Sequence, residues 1–207
     1  MRPSWYPNWD GQTVVIIASG PSAKSVPIEK AIGHARFIAV NSSWALCPWA
    51  DVLYACDYEW WKFADGCPQF KGLKISVDPR ACNSTTGWDV KHVMCSKVGD
   101  QIEFNNHGRI GWGGNSGFGA LNLAIQFGVK KIILVGYDMT IRHGSHWHGD
   151  HPDSLKNPSI ANSGRWRRAI DEAARFIAAH RIKVINCSPI STLINYPVMT
   201  LEEALGL

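Results

Sequence analysis

Short apolar runs, rich in β-branched residues and each ended by a polar residue, most limit how this chain folds. They are TVVIIA (13–18), FIAVN (37–41), VLYACD (52–57), KKIILVGYD (130–138) and KVINC (183–187). Uninterrupted apolar runs of this length are strands covered on both faces, the pattern of a parallel sheet. LKISV (73–77) and VKHVMC (90–95) read as two further strands. Between the runs lie segments with a helical period. IEKAIGHA (28–35) predicts a short helix. NSGFGALNLAIQFGV (115–129) predicts a longer one, with an apolar face through Leu121, Ala124, Ile125 and Phe127 and a stop at Gly128. RWRRAIDEAARFIAAHR (165–181) is amphipathic through Ile170, Ala173, Ala174 and Ile177. Strands alternating with helices make βαβ units. The expected fold is α/β and Rossmann-like: a mainly parallel sheet with helices on both faces.

The 207 residues suit one domain, 1–207, with a sizeable core. No apolar run approaches the ~20 residues of a membrane-spanning helix, and the opening MRPSWYPNWDGQ is not a signal peptide, so a soluble, unsecreted chain is expected. The six cysteines form no Cys-x-x-Cys pair, which suits a reducing cytoplasm. A net charge of +4 with no basic run longer than RWRR (165–168) gives no indication of a nucleic-acid partner. Nothing in the sequence opposes assembly into a homo-oligomer. The ten tryptophans suit cores and interfaces, and can also stack on sugars or bases.

In parallel α/β sheets, ligands bind beyond the carboxyl ends of the strands. The residues ending these strands are therefore candidates: Ser19, Gly20, Pro21 and Ser22 after the first, then Asn41, Asp57, Asp138 and Ser188. ASGPSAKS is neither a dinucleotide fingerprint nor a Walker loop. A glycine turn entering a helix can nevertheless present backbone N–H groups and hydroxyls to a phosphate, and a plain tight turn is the alternative. GWGGNSGFGALN (111–122) is a second such turn, with Asn115 or Ser116 as the cap and Gly117 behind it. Asp57 and Asp138 suit ribose or sugar hydroxyls, or else the capping of a neighbouring helix.

Residues 139–163 form a long Gly-, His- and Pro-rich connection at the same edge, expected to be a lid. Within it, HGSHWHGDHP (143–152) contains His-x-His-x-Asp-His as His146, His148, Asp150 and His151, the metal signature of the metallo-β-lactamase superfamily. That fold also needs a downstream histidine, and the only one here is His180, in an amphipathic helix. The strand–helix alternation excludes it as well. A divalent zinc or manganese ion held by two of these four residues stays open. A catalytic or ligand-covering lid is the adopted reading, and a solvated loop is the third.

Four pieces in order, IIASGPSAKS, FIAVNSSW, NSGFGALNLAIQFGVKKIILVGYD and IKVINCSPISTLINYP, resemble the small bacterial sialyltransferases that use CMP-sialic acid. They are similar also to related phage-encoded proteins and to archaeal pterin pyrophosphokinases sharing the G-P-S loop. The resemblance implies nucleotide contacts from Ser19 to Ser22, Asn41 and Ser116–Gly117. The sequence departs from the family at Ser19, usually asparagine, and at Asp57, near a second asparagine. The family's base histidine falls near Asn162–Ser163, where none is present, and its lid tyrosines fall within Thr140 to His146. A base then has to come from His146, His148 or His151, oriented by Asp150, with Arg142 or Arg165 offsetting charge on the leaving phosphate.

The expected activity is transfer of a sugar from a nucleotide-sugar donor, CMP-linked first, to a hydroxyl of a small-molecule or glycan acceptor. Two alternatives stand beside it. One is pyrophosphoryl transfer from ATP, with Mg²⁺ on Asp57 or Asp138. The other is nucleotide binding without turnover.

Overall fold

The computed structural model describes residues 2–96, 99–152 and 154–207. Among these, seven parallel strands form one sheet: β1 (Thr13–Ile17), β2 (Arg36–Val40), β3 (Val52–Tyr54), β4 (Leu73–Ser76), β5 (Val90–His92), β8 (Lys131–Val135) and β9 (Lys183–Asn186). The strand order is β5-β4-β3-β2-β1-β8-β9. The chain steps outward from β1 to β5, then returns to the other side of β1. A separate parallel pair joins β6 (Met94–Ser96) to β7 (Arg109–Gly111).

Side chains alternate across the sheet, and each face has its own core. Val14 and Ile16, with their register partners Ile132 and Leu134, pack beneath α2 (Ser116–Phe127) and α3 (Ile160–Ala179). Val15 and Ile17, with Ile133 and Val135, face the opposite core, which takes Trp60 and Trp61 of α1 (Tyr58–Phe63) and Leu201 and Ala204 of α4 (Leu201–Leu205). The expectation of helices on both faces holds, with the long ones on one side.

α2 is buried along its whole length, and two of its polar side chains find partners there. Asn122 accepts from the N–H groups of Glu103 and Gly111, both at 2.9 Å, and Gln126 donates to the Arg109 carbonyl at 2.7 Å. These amides satisfy backbone groups of β7 and of Glu103 in the segment before it, which is why a buried helix tolerates them.

Four elements differ from the sequence reading. IEKAIGHA forms only a 3-10 turn over Ile28–Ala31, because Pro27 precedes it and Gly33 turns left-handed after it, at φ 84°. VKHVMC is divided between β5 and β6. Arg109–Gly111, leading into the glycine-rich segment and assigned to no element from the sequence, is a strand. α3 begins at Ile160, five residues before the predicted start, because the Ser159 side chain accepts from Asn162 N–H and fixes the first turn. The lid is therefore shorter, and its last four residues belong to α3.

Because β1 has β2 on one side and β8 on the other, the loops leaving β1 and β8 diverge and open a crevice at the carboxyl edge. The two loops nearly touch at Gly20. A β-carbon there would stand 2.5 Å from the Gly136 carbonyl oxygen and 2.7 Å from the Asp138 carboxylate. Gly20→Ala should destabilise the fold by about 1–3 kcal/mol, the range for forcing atoms into a filled space. Urea unfolding followed by circular dichroism measures it.

Candidate functional site

The crevice holds about 460 Å³ and is bounded by the loops after β1, β2, β3 and β8, the start of α2 and the lid. That volume suits a small ligand. Ser19, Gly20, Asn41, Asp57, Asn115, Ser116, Gly117 and Asp138 line it, and so do His146 and His151. Pro21, Ser22, His148 and Asp150 do not.

On the β1 side, the glycine turn leads into a five-residue 3-10 turn, Pro21–Ser25. Ser22 is buried and gives both donors to Asp138: its N–H reaches the carboxylate at 2.9 Å and its hydroxyl bonds the other oxygen. Asp138 thus ties the β1 loop to the β8 loop. Burial pushes its carboxyl above the usual range, and the two Ser22 hydrogen bonds partly oppose that shift. Ser188, buried at the end of β9, accepts from Tyr137 N–H at 2.9 Å and steadies the same corner.

Asn41 holds a left-handed backbone at φ 51°, a conformation that asparagine tolerates better than most residues. Asn115 caps α2 by accepting from Phe118 N–H at 2.9 Å. Ser116 accepts from Cys56 N–H at 3.1 Å, joining the end of β3 to α2. At Gly117 a β-carbon would come within 3.1 Å of the Tyr137 ring. Most of these groups therefore have structural partners as well as a face on the crevice.

Asp57 differs from them. It stands at the cap position of α1, yet its side chain makes no capping hydrogen bond. Burial first, and then the negative charge of Asp78, raise its carboxyl, against the pull of Lys156. A carboxylate withheld from capping and kept partly dry beside a second acid is what a ligand-binding group looks like.

The lid is pinned at two points. Trp147 donates its backbone N–H to the Ser19 carbonyl at 2.9 Å and its indole N–H to Ser43 Oγ at 3.1 Å. Further on, His151 N–H donates to Asn157 Oδ1 at 2.8 Å, and Asn157 Nδ2 donates back to the His151 carbonyl at 3.3 Å. Between the pins the chain turns at Gly149, φ 89°, which brings His146, His148 and His151 together. Burial, with the charges of His151 and His148 behind it, lowers His146 to about 4. His148 and His151 are also lowered, chiefly by burial. All three rings are therefore neutral near pH 7. Asp150 is exposed and stands outside the cluster, although its charge pulls His151 upward.

No protein-family model and no curated protein matches the sequence. Solved structures match in fold, two glycosyltransferases among them. The MAf glycosyltransferase from Magnetospirillum magneticum AMB-1 aligns over 100% of this chain at a TM-score of 0.66 and 16% identity. The sialyltransferase CstII from Campylobacter jejuni, solved with the substrate analogue cytidine-5'-monophosphate, aligns over 92% of this chain and 86% of its own at 0.55 and 14% identity. The chain shares its α/β fold with these two glycosyltransferases. The chain spans only 35% of the MAf glycosyltransferase.

Asn162 and Ser163 border the crevice from the first turn of α3, the position at which the sequence resemblance expects a base. Of the cations considered from sequence, Arg142 is exposed. Arg165 is held by both oxygens of Asp100, at 2.9 and 3.0 Å, and by the Gly113 carbonyl at 3.2 Å. Sequence reasoning missed Lys156, the one Lys or Arg among the described lining residues, together with Trp166 and Glu59. An isolated lysine in a loop carries no pattern, whereas Trp166 sits in the RWRR cluster that drew attention for its charge. Of the two adjacent tryptophans of α1, Trp61 is core and donates to the Ala55 carbonyl at 3.1 Å. Trp60 borders the crevice.

A raised carboxyl means that folded Asp57 binds its proton more tightly than the unfolded chain does, so ionisation costs stability. That cost is absent below the ordinary carboxylate pKa and is complete once pH has risen through the folded value. Asp57→Asn should raise the melting temperature at pH 7, and the gain should vanish near pH ~3, below the ordinary carboxylate range. Thermal unfolding across that interval checks the sign.

Proposed function

We propose that the protein is a nucleotide-sugar-dependent glycosyltransferase that moves a sugar, from a CMP-linked donor in the first instance, to an acceptor hydroxyl. The observation that carries this reading is the convergence of Gly20, Asn41, Asp57 and Ser116–Gly117 on one crevice that a histidine lid closes. The CMP-bound CstII structure supports the choice of donor. In this reading Ser19, Gly20, Asn41, Asn115, Ser116 and Gly117 hold the nucleotide and Asp57 accepts from ribose or sugar hydroxyls. Pro21, Ser22 and Asp138 keep the phosphate-side loop in shape. Lys156 offsets phosphate charge.

His151 is the proposed proton acceptor. It lines the crevice as a neutral imidazole, and Asp150 favours the cation that forms when it takes the hydroxyl proton. His146 also lines the crevice, but at about 4 it is the weaker base. His148 supports both rings from behind. The pyrophosphoryl-transfer alternative loses one of its two carboxylates, because Asp138 is already engaged by Ser22.

Thermal shift with CMP, CDP, UDP, GDP and ATP, each with and without Mg²⁺, tests the reading. A ligand at ~100 times its Kd adds about 2.7 kcal/mol of stability. CMP or CDP should stabilise the protein without metal, and Lys156→Ala should weaken that binding. Stabilisation by ATP with Mg²⁺ alone would favour pyrophosphoryl transfer instead, and no response to any nucleotide would end the transferase reading. His151→Ala should lower turnover at least ~100-fold, the usual contribution of a positioned base, while leaving CMP affinity unchanged.

A further inference from the structure

We propose that His146, His148 and His151 form a binding site for one transition-metal ion of the zinc class. Each ring offers a nitrogen, and the three nitrogens lie within 4.8 Å of one another. The rings face each other at close range: the centroids of His146 and His151 are 4.3 Å apart, those of His148 and His151 4.9 Å, and those of His146 and His148 5.1 Å, the last pair parallel. Zinc–imidazole bonds of about 2.0–2.1 Å place tetrahedral ligand nitrogens roughly 3.3 Å apart. The rings therefore draw together by roughly an ångström or more on loading, a shift within the reach of side-chain rotation.

A second observation is independent of that spacing. His146 Nδ1 and His148 Nε2 are buried and, among the described residues, have no hydrogen-bond partner. Buried polar nitrogens without partners are costly, and two of them on neighbouring rings of one cluster call for an ion or water. Three imidazole nitrogens within 4.8 Å of one another suit a cation, and three nitrogen ligands select zinc, copper or nickel over magnesium or calcium. The chain also pre-forms the site. Trp147, between two of the ligands in sequence, is anchored on Ser19 and Ser43 and packs edge-on against His148, and Asn157 fixes the backbone of the third.

His146 and His151 line the crevice, so the ion stands at its wall. There it adds positive charge where Lys156 is otherwise the one described Lys or Arg. This consequence rests on the transferase reading, whereas the ion site itself does not. A ring that gives its lone pair to the ion no longer accepts a proton. The loaded cluster and the imidazole base are thus alternative states of the same residues, and each is assayed separately.

The test uses the full chain, stripped with a chelator and titrated by calorimetry with Zn²⁺ and with Mg²⁺. One Zn²⁺ per chain is expected with no Mg²⁺ response, and Co²⁺ should give the visible absorption of a tetrahedral site. His148→Ala, which leaves the crevice lining intact, should weaken Zn²⁺ by more than the roughly 10–100-fold that outer-shell changes cost. His143→Ala, in the same lid but outside the cluster, should stay within about threefold, below that outer-shell range. X-ray absorption on the Zn²⁺-loaded wild-type protein counts imidazole ligands directly, so a variant that fails to fold does not decide the matter. Absence of Zn²⁺ binding, or fewer than three imidazoles on the ion, overturns the proposal. CMP affinity is measured in both states. CMP binding without Zn²⁺ binding ends the metal site and keeps the transferase reading, and Zn²⁺ binding without any nucleotide binding does the reverse.

Discussion

The buried contact between the Asp138 carboxylate and Ser22 holds the switch point of the sheet, and the crevice depends on it. β1 and β8 are neighbours whose following loops must part, yet the parting has to stop at a fixed width if the two walls are to hold one ligand. One carboxylate spans that gap, taking the N–H and the hydroxyl of a single serine. Gly20 lets the loops approach closely enough for the bond to form. The Ser188 bond to Tyr137 and the Tyr137 hydroxyl bond to the Gly117 carbonyl, at 2.9 Å, carry the same corner on to α2. A burial that would be costly for an isolated carboxyl is here offset by two donors.

That corner separates two kinds of residue that look alike in the sequence. Asp57 and Asp138 both end apolar strands and both have carboxyls raised by burial. Asp138 has two hydrogen bonds from Ser22, whereas Asp57 lacks even the capping bond open to it. Both oxygens of the Asp138 carboxylate are thus already taken up within the protein. A carboxylate kept near its like-charged neighbour Asp78, with only Lys156 opposing, retains its capacity for a hydroxyl or a cation.

How far the sequence could be read follows from the range of the forces involved. β1, β2, β8 and β9 were legible because burial on both faces demands an unbroken apolar run, and the helices α2 and α3 because one-sided burial demands a period. The start of α3 was not legible, since IANSG has poor helix formers and only the Ser159 cap fixes it. β7 was hidden for a similar reason: its backbone is completed by Asn122 and Gln126, residues from a helix some way along the chain. In the site, glycines and strand-end polar residues were legible from the sheet rule. Lys156 was not, because its place over the crevice depends on how Asn157 folds the lid back on His151.

The lid adds a constraint that neither the sheet nor the pattern of strands supplies. Burial lowers all three imidazoles, and the charge of neighbouring rings lowers His146 and His148 further, so the cluster favours its neutral form. Neutral rings could disperse into solvent if the lid were loose. Trp147 prevents this by fastening the centre of the lid to Ser19 and Ser43, beside the switch-point corner itself. The geometry set by Asp138 and Ser22 therefore extends through the β1 loop into the lid, and it positions the histidines as firmly as it positions the walls they face.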